Sequence, residues 1–356
     1  MKKQNTVHYS LPACLPRGEA GRQDRHRAQA SPPIPPPCLP DRQARGGKAR
    51  EGGKVRVPSS EKGSALVVTL LIVTLLIGLA VEFAYEVYVD SASLSNWHNA
   101  QKASLIAKSG QTLSYTYIKE TVHLPFTYPG ETDLRIEKDF GPDTVLTVKI
   151  EDEDSKFNIN SIIYPAGQTN EDALSSLKKL LEYLNINPDV ALSIADWIDP
   201  DHEPRLSKSE DHAKNSYLWS VDELKLIPGV DKKTYETISP YITVYGDKLT
   251  YKININTAKL PVLVSLHSQE MEKQGLIMTE DLAKKIIDYR QSTPFTRGSD
   301  VQNVSGMEAI GLLLGGRIDV KSYNFRVISN ATVSEIKRTV ESVMDTSMNV
   351  QYWRES

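Results

Sequence analysis

From Ser64 to Val81 the chain runs for 18 residues without a charged side chain. That is close to the minimum length for a helix crossing the hydrocarbon core, roughly 17–25 apolar residues. Lys54, Arg56 and Lys62 precede the stretch, and Glu82, Glu86 and Asp90 follow it. The positive-inside rule then places the N-terminal side in the cytoplasm and the bulk of the chain outside. A buried core helix is the bland alternative. A secretory signal peptide is a stronger one, but a small-residue cleavage site should follow its apolar region. Here the helical pattern continues instead. Val81 to Thr121 contains no proline and a single glycine, Gly110, while Phe83, Val87, Leu94, Trp97, Leu105, Leu113, Tyr117 and Ile118 recur at helix-like spacing. We expect one helix over about residues 64–122, about 85 Å long at 1.5 Å per residue. Its first half would lie in lipid and its second half would pack on a soluble domain.

The residues before this helix have a different composition. Residues 1–63 hold 13 Lys+Arg against 5 Asp+Glu, 9 of the 20 prolines and both cysteines, Cys14 and Cys38. Such a segment buries too little apolar surface to offset its ordering entropy, so it reads as a disordered leader. The remainder, 64–356, has 29 Lys+Arg against 40 Asp+Glu and no cysteine. An acidic balance argues against broad phosphate binding and is compatible with cation sites.

Glu61-Lys62-Gly63 followed by Ser64-Ala65-Leu66-Val67-Val68 resembles a type IV prepilin leader. The resemblance implies cleavage by prepilin peptidase after Gly63, with Ser64 the first mature residue and N-methylated. Most pilins and pseudopilins carry Glu at the fifth mature position, where it meets the N-terminal amine of a neighbouring subunit; here that position is Val68. A buried unpaired charge is costly, so a subunit with none above it does not need the Glu. The K-type minor pseudopilin of type II secretion is the member known for lacking it. A 63-residue leader is long for this class. We therefore expect translation to begin later, for example at Val55 or Val57 if either codon is GTG, which would make residues 1–54 a gene-model artefact.

The soluble part reads as strands, then helices, then strands. Thr144–Ile150 is β-branched and strand-like. Residues 171–185 are helical, with Leu174, Leu177, Leu180, Leu181 and Leu184 on one face. Val190–Trp197 and Thr279–Arg290 are further helices, and short segments around 223–226 and 234–238 flank the turn at Pro228-Gly229. Phe325–Ile328 and Ser334–Val343 are the closing strands. This order indicates an α+β fold. The resemblance makes it pilin-like: a long N-terminal helix and small antiparallel sheet, with a large helical domain of helix-hairpin-helix or SAM-like elements inserted. The expected division is a leader over 1–63, the membrane and pilin helix over 64–122, sheet over 123–165, helical insert over 166–315 and the rest of the sheet over 316–356.

The densest chemical signal is Asp196-Trp197-Ile198-Asp199-Pro200-Asp201-His202-Glu203-Pro204-Arg205, with Glu210-Asp211 soon after: six carboxylates within 16 residues. Closely spaced carboxylates repel unless a cation lies between them, and Ca²⁺ takes 6–8 oxygen ligands from such loops. The spacing is not that of an EF-hand. A solvated acidic loop is the structural alternative. Zinc through His202 and His212 lacks a cysteine and a diagnostic spacing, and no nucleophile accompanies the carboxylates as a catalytic pair would require. The run resembles the "DWxDxD" and "GxED" elements of the K-type pseudopilin, whose helical domain binds calcium, although Lys208-Ser209 stands where that family has Gly-Ala. The resemblance implies Asp196, Asp199, Asp201 and Glu210 as calcium ligands, with Glu203 and Asp211 as weaker candidates.

Val221–Val230, Ile253-Asn254-Ile255-Asn256-Thr257-Ala258 and the segments 283–290 and 295–301 look like helix-hairpin-helix elements. In DNA-binding versions of that module a glycine turn at a helix start holds a phosphate, so a membrane-anchored competence protein is the principal alternative. Here the turns read Pro-Gly-Val-Asp and Ser-Gly-Met-Glu, each with a carboxylate where the phosphate would come. Asp152-Glu153-Asp154 followed by Asn158-Ile159-Asn160 resembles the family's "DEsGKiNiN" segment and reads as structural. The resemblance thus implies a non-enzymatic minor pseudopilin at the pseudopilus tip. It would be single-pass in the bacterial inner membrane, with its C-terminal domain in the periplasm. Its partners would be I-type and J-type minor pseudopilins, other pseudopilins and prepilin peptidase, with no nucleic acid. A minor pilin of a type IV pilus has the same chemistry in another machine.

Overall fold

The computed structural model describes residues 61–121, 123–127, 132–136 and 143–356. Residues 1–60 of the leader expected over 1–63, with the basic residues Lys54 and Arg56, lie outside the described residues.

Helix α1 spans Glu61–Thr121 without interruption. Among the described residues it is the one helix long and apolar enough to cross a membrane. Its contacts with the sheet begin near Ala103. Ala103, Ile106, Ala107 and Ile118 are buried with Leu146, Val148, Ile150, Val327, Ala331 and Val340. Of the large apolar residues expected to mark the inner face, Ile118 is buried and Tyr117 packs beside it, but Phe83, Val87, Leu94, Trp97 and Leu105 are all exposed. At Gly110 the helix comes so close to the sheet that no side chain fits. A Cβ on Gly110 would lie within 3.0 Å of Ser329 Oγ and Val148 Cγ2. The next residue, buried Gln111, donates from Nε2 to the carbonyls of Val327 (3.3 Å) and Val340 (2.9 Å) and accepts from Ser342 Oγ at 2.6 Å. The inner face of α1 thus combines Ala103, Ala107, Gly110, Gln111 and Ser114 with the buried Ile106 and Ile118, and the large residues from Phe83 to Leu105 named above are exposed.

The sheet is antiparallel, in the order β1 (Thr132–Ile136), β2 (Thr144–Asp152), β7 (Asn324–Val333), β8 (Ile336–Asp345) and β9 (Val350–Glu355). β1 and β9 were not anticipated from the sequence. The strand expected from Ser334 starts at Ile336, because Ser334 adopts φ +53° in the β7–β8 turn. Strands β2 and β7 pair along their whole length although residues 153–323 separate them. With its long helix, this is the expected pilin-like α+β fold with a helical insert.

The insert contains two similar units. In the first, β3 (Phe157–Asn158) pairs in parallel with β4 (Ile242–Thr243), enclosing α2 (Glu171–Tyr183), α3 (Val190–Ile198) and α4 (Lys232–Ile238). In the second, β5 (Ile253–Asn254) pairs in parallel with β6 (Ile318–Asp319), enclosing α5 (Leu260–Val264), α6 (Gln269–Lys273), α7 (Glu280–Ser292) and α8 (Glu308–Leu313). Each opens with Asn-Ile-Asn, used in the same way. Asn158 and Asn254 each accept the N–H two residues on. Asn160, fully buried, donates to the carbonyls of Leu218 and Val244 and accepts the Leu218 N–H, at 2.9 Å each. Asn256 repeats this with the Phe295 and Val320 carbonyls and the Phe295 N–H. The hairpin glycines correspond too: Gly229 and Gly306 have φ +88° and +92°. The first unit carries an extra loop after α3, and that loop holds the acidic run.

Three consecutive acids, Glu153 buried and Asp152 and Asp154 half-buried, join sheet to insert at the end of β2. Asp152 accepts from Asn254 Nδ2 and Ser322 Oγ in the second unit and its exit. Glu153 pairs with Lys156 (2.8 Å) and with Arg326 of β7 (2.6 Å). Asp154 accepts the N–H groups of Tyr323 and Asn324 where the chain re-enters the sheet. Burial works to raise the Glu153 carboxyl, but Lys156 and Arg326 beside it bring it below the ordinary range. At Asp154, by contrast, burial and the Asp152 charge prevail and push the carboxyl up to about 7.

Candidate cation site

Helix α3 delivers the first two acids. Asp196 lies in its last turn, facing inward with Ile194, Ala195 and Trp197. Asp199 is the C-cap, extended at ψ 154°, and Pro200 follows it and stops the helix. The loop then returns through Lys208, His212 and Asn215, all at positive φ (68°, 66° and 50°). Lys208, the residue standing in place of the family's glycine, thus holds a left-handed conformation that favours glycine.

This path brings Asp196, Asp199 and Glu210 together, with ligand oxygens within 4.8 Å of one another. Asp196 and Asp199 are fully buried. Arg205 Nη1 donates to Asp196 Oδ1 at 2.6 Å and also contacts Asp199 Oδ2. Asp196 Oδ2 accepts the Arg205 backbone N–H at 2.9 Å and the Ser209 hydroxyl. Asp199 Oδ1 and both Glu210 oxygens are buried and make no hydrogen bond with the described residues. Burial pushes the Asp199 carboxyl up, against the pull of Arg205. Glu210 is raised by burial and by the charges of Asp199, Asp196 and Asp201. One guanidinium thus pairs with two of the three carboxylates, leaving an excess of negative charge and three orphaned oxygens.

That donor set fits a hard divalent cation. It is all oxygen, and the spacing suits ions held at 2.3–2.6 Å from each ligand. When bound, such an ion would supply charge neutralisation and cross-link the end of α3 to the returning loop, through Asp196, Asp199 and Glu210. Asp201 stands apart: it is exposed, and its carboxylate accepts the Glu203 N–H at 2.8 Å. Glu203 and Asp211 are also exposed. His202 contacts Asn215 Nδ2 at 2.7 Å and His212 is exposed, so neither joins the cluster. Sequence reasoning had no role for Arg205 or Ser209. Arg205 was traceable as the one Lys or Arg in the run from Asp196 to Arg205; Ser209 left no such signal.

The hairpin turns are occupied by the chain's own carboxylates. Asp231 accepts the Thr234 N–H at 2.7 Å, and Glu308 accepts the Gly306 N–H at 3.0 Å. The donors that would hold a phosphate in a DNA-binding hairpin are therefore engaged internally.

At the other end of the chain, Gly63 and Ser64 lie within the first turns of α1, exposed, with nothing within 4 Å of the Cβ position of Gly63. Val68 is exposed as well.

Comparison with known proteins gives a consistent result. Two models of the type II secretion system (T2SS) protein K match in tandem, over residues 155–247 and 253–321. These spans coincide with the two units of the insert. Type II secretion system protein K of Aeromonas hydrophila is 25% identical over 316 residues, covering 79% of this chain and 92% of that protein. The protein K of Pectobacterium carotovorum subsp. carotovorum is 26% identical over 65% of this chain and 76% of its own length. The fold is similar to that in the crystal structure of the GspK-GspI-GspJ complex from enterotoxigenic Escherichia coli. There the TM-score is 0.55 at 19% identity, over 75% of this chain and 99% of that one. The tandem match, the similar fold and these relatives agree: the chain carries both protein K regions in tandem and is similar to type II secretion system protein K over most of its length.

Proposed function

We propose that the chain is a non-catalytic minor pseudopilin at the tip of the type II secretion pseudopilus, where it initiates assembly and helps move folded proteins across the outer membrane. The observation that supports this most strongly is the tandem protein K match lying on an insert between adjacent strands of a pilin-like sheet. An insert of that bulk would clash with the next subunit along a fibre, and Val68 offers no carboxylate to a subunit above. Both features suit a terminal position. The solved relative of similar fold is a K protein in complex with I and J proteins, which supports I-type and J-type minor pseudopilins as partners here.

In this reading residues 64–81 anchor the protein in the bacterial inner membrane, and the sheet and insert lie in the periplasm. Prepilin peptidase cuts between Gly63 and Ser64. Calcium occupies the cluster of Asp196, Asp199 and Glu210 and fixes the loop after α3. The test is the mature N-terminus of protein extracted from host membranes, together with co-purification of the I-type and J-type proteins. A chain starting at N-methyl-Ser64 that brings both partners supports the proposal. A chain retaining the residues before Ser64, with neither partner, refutes it. For calcium, the melting temperature after chelation should rise on adding millimolar Ca²⁺, and an unchanged curve counts against the ion.

A further inference from the structure

The acidic cluster already contains a positive charge, supplied by the chain itself. Arg205 follows Pro204 in the loop after α3, and its guanidinium reaches back into the gap between Asp196 and Asp199. Nη2 is tethered to Thr169 Oγ1 at 3.1 Å, and the backbone N–H donates to Asp196 Oδ2. With the Ser209 hydroxyl also on Oδ2, both Asp196 oxygens are engaged. The oxygens left over are Asp199 Oδ1 and the two of Glu210. Three oxygens from two residues fall short of the 6–8 that Ca²⁺ takes. Recruiting Asp196, or the second oxygen of Asp199, requires Nη1 to withdraw. A guanidinium and a divalent ion cannot share that gap, because both are cations and the site is largely closed to water.

We propose that Arg205 is an internal counter-cation that occupies the Asp196–Asp199 gap in the metal-free protein and competes with a divalent cation for it. This rests on reading the cluster as the cation site. Its first consequence is that the loop is held near its bound shape before any ion arrives. Its second is that affinity is lower than the three carboxylates alone would give, since the ion must displace a tethered charge. Its third is that ion binding releases Thr169, which lies beside Asn170, the N-cap of α2. The ion is thereby linked to the start of that helix.

The test uses the full chain in detergent, stripped with chelator and titrated with Ca²⁺ by calorimetry, as wild type, Arg205→Lys and Arg205→Gln. Competition predicts at least tenfold tighter binding in Arg205→Gln, an intermediate value in Arg205→Lys, a lower metal-free melting temperature and a larger rise on adding calcium. Unchanged or weaker binding in both variants overturns the proposal. A readout on the wild type does not depend on whether variants fold: phenylglyoxal labelling of Arg205, followed by mass spectrometry, should increase when Ca²⁺ is present. Equal or lower labelling overturns it. If the wild type binds no calcium but Arg205→Gln does, competition stands and calcium occupancy of the native protein fails. If neither binds, both fail.

Discussion

Asn160 offers a sharp test of how the insert is held together. Its amide is fully buried and satisfies three backbone groups from distant segments: the N–H and C=O of Leu218 and the C=O of Val244. Asn160→Ala removes all three bonds and leaves one donor and two acceptors without partners. An orphaned buried polar group costs about 1–3 kcal/mol, and some relaxation or water entry is expected. The total should be about 3–5 kcal/mol, a large part of a typical stability of about 5–15 kcal/mol. Asn256 makes the same three bonds in the second unit, so Asn256→Ala should cost a similar amount. Urea unfolding gives the magnitude. Hydrogen exchange gives the location: the Leu218 amide should lose protection in Asn160→Ala, and the Phe295 amide in Asn256→Ala, each without the other. A cost below about 1 kcal/mol in either variant, or exchange changes spread evenly over both units, would refute the claim that these side chains hold their units closed.

Four further outcomes follow from the geometry. Gly110→Ala should destabilise by about 1–3 kcal/mol through overpacking against Ser329 and Val148, despite the roughly 1 kcal/mol that alanine gains in a helix. Adding Ser329→Ala should recover part of the loss in urea unfolding. Asp154 titrates higher in the folded protein than in the unfolded chain, so its contribution is full at low pH and is lost as pH rises through about 7. Stability should fall by about 1.4 kcal/mol between pH 6 and 8 from this group, and the slope should be shallower in Asp154→Asn. Asp199→Asn and Glu210→Gln should abolish any calcium-dependent rise in melting temperature, whereas exposed Asp201→Asn should reduce it only slightly. Val68→Glu should impair secretion by burying a carboxylate without a partner at the tip; normal export by that variant would argue against a terminal position.

How much was legible in the sequence depended on whether the signal was local. The length of α1 was readable because neither proline nor a charge cluster interrupts it. Its buried face was not. Large apolar residues normally mark the inner side of a helix, yet here the helix approaches the sheet through Ala103, Ala107, Gly110 and Gln111. The acids of the candidate site are visible as a run, but the run alone does not show which of them the fold brings together. Asp201 looked as good as Asp199. What distinguishes them is the end of α3, which turns Asp196 and Asp199 inward and leaves Asp201 in solvent.

By itself, the sequence determined the anchor-like apolar helix, the order of strands and helices, and the family likeness signalled by its motifs, because each is written in neighbouring residues. Tertiary structure decided the rest. It paired β2 with β7 across the whole insert. It revealed two units built on the same asparagine clasp, whose partners lie 58 to 84 residues away in the first unit. It also placed Arg205 among the carboxylates. These features depend on which distant groups meet once the core closes, and hydrogen bonds between buried groups far apart in the chain leave no periodicity behind.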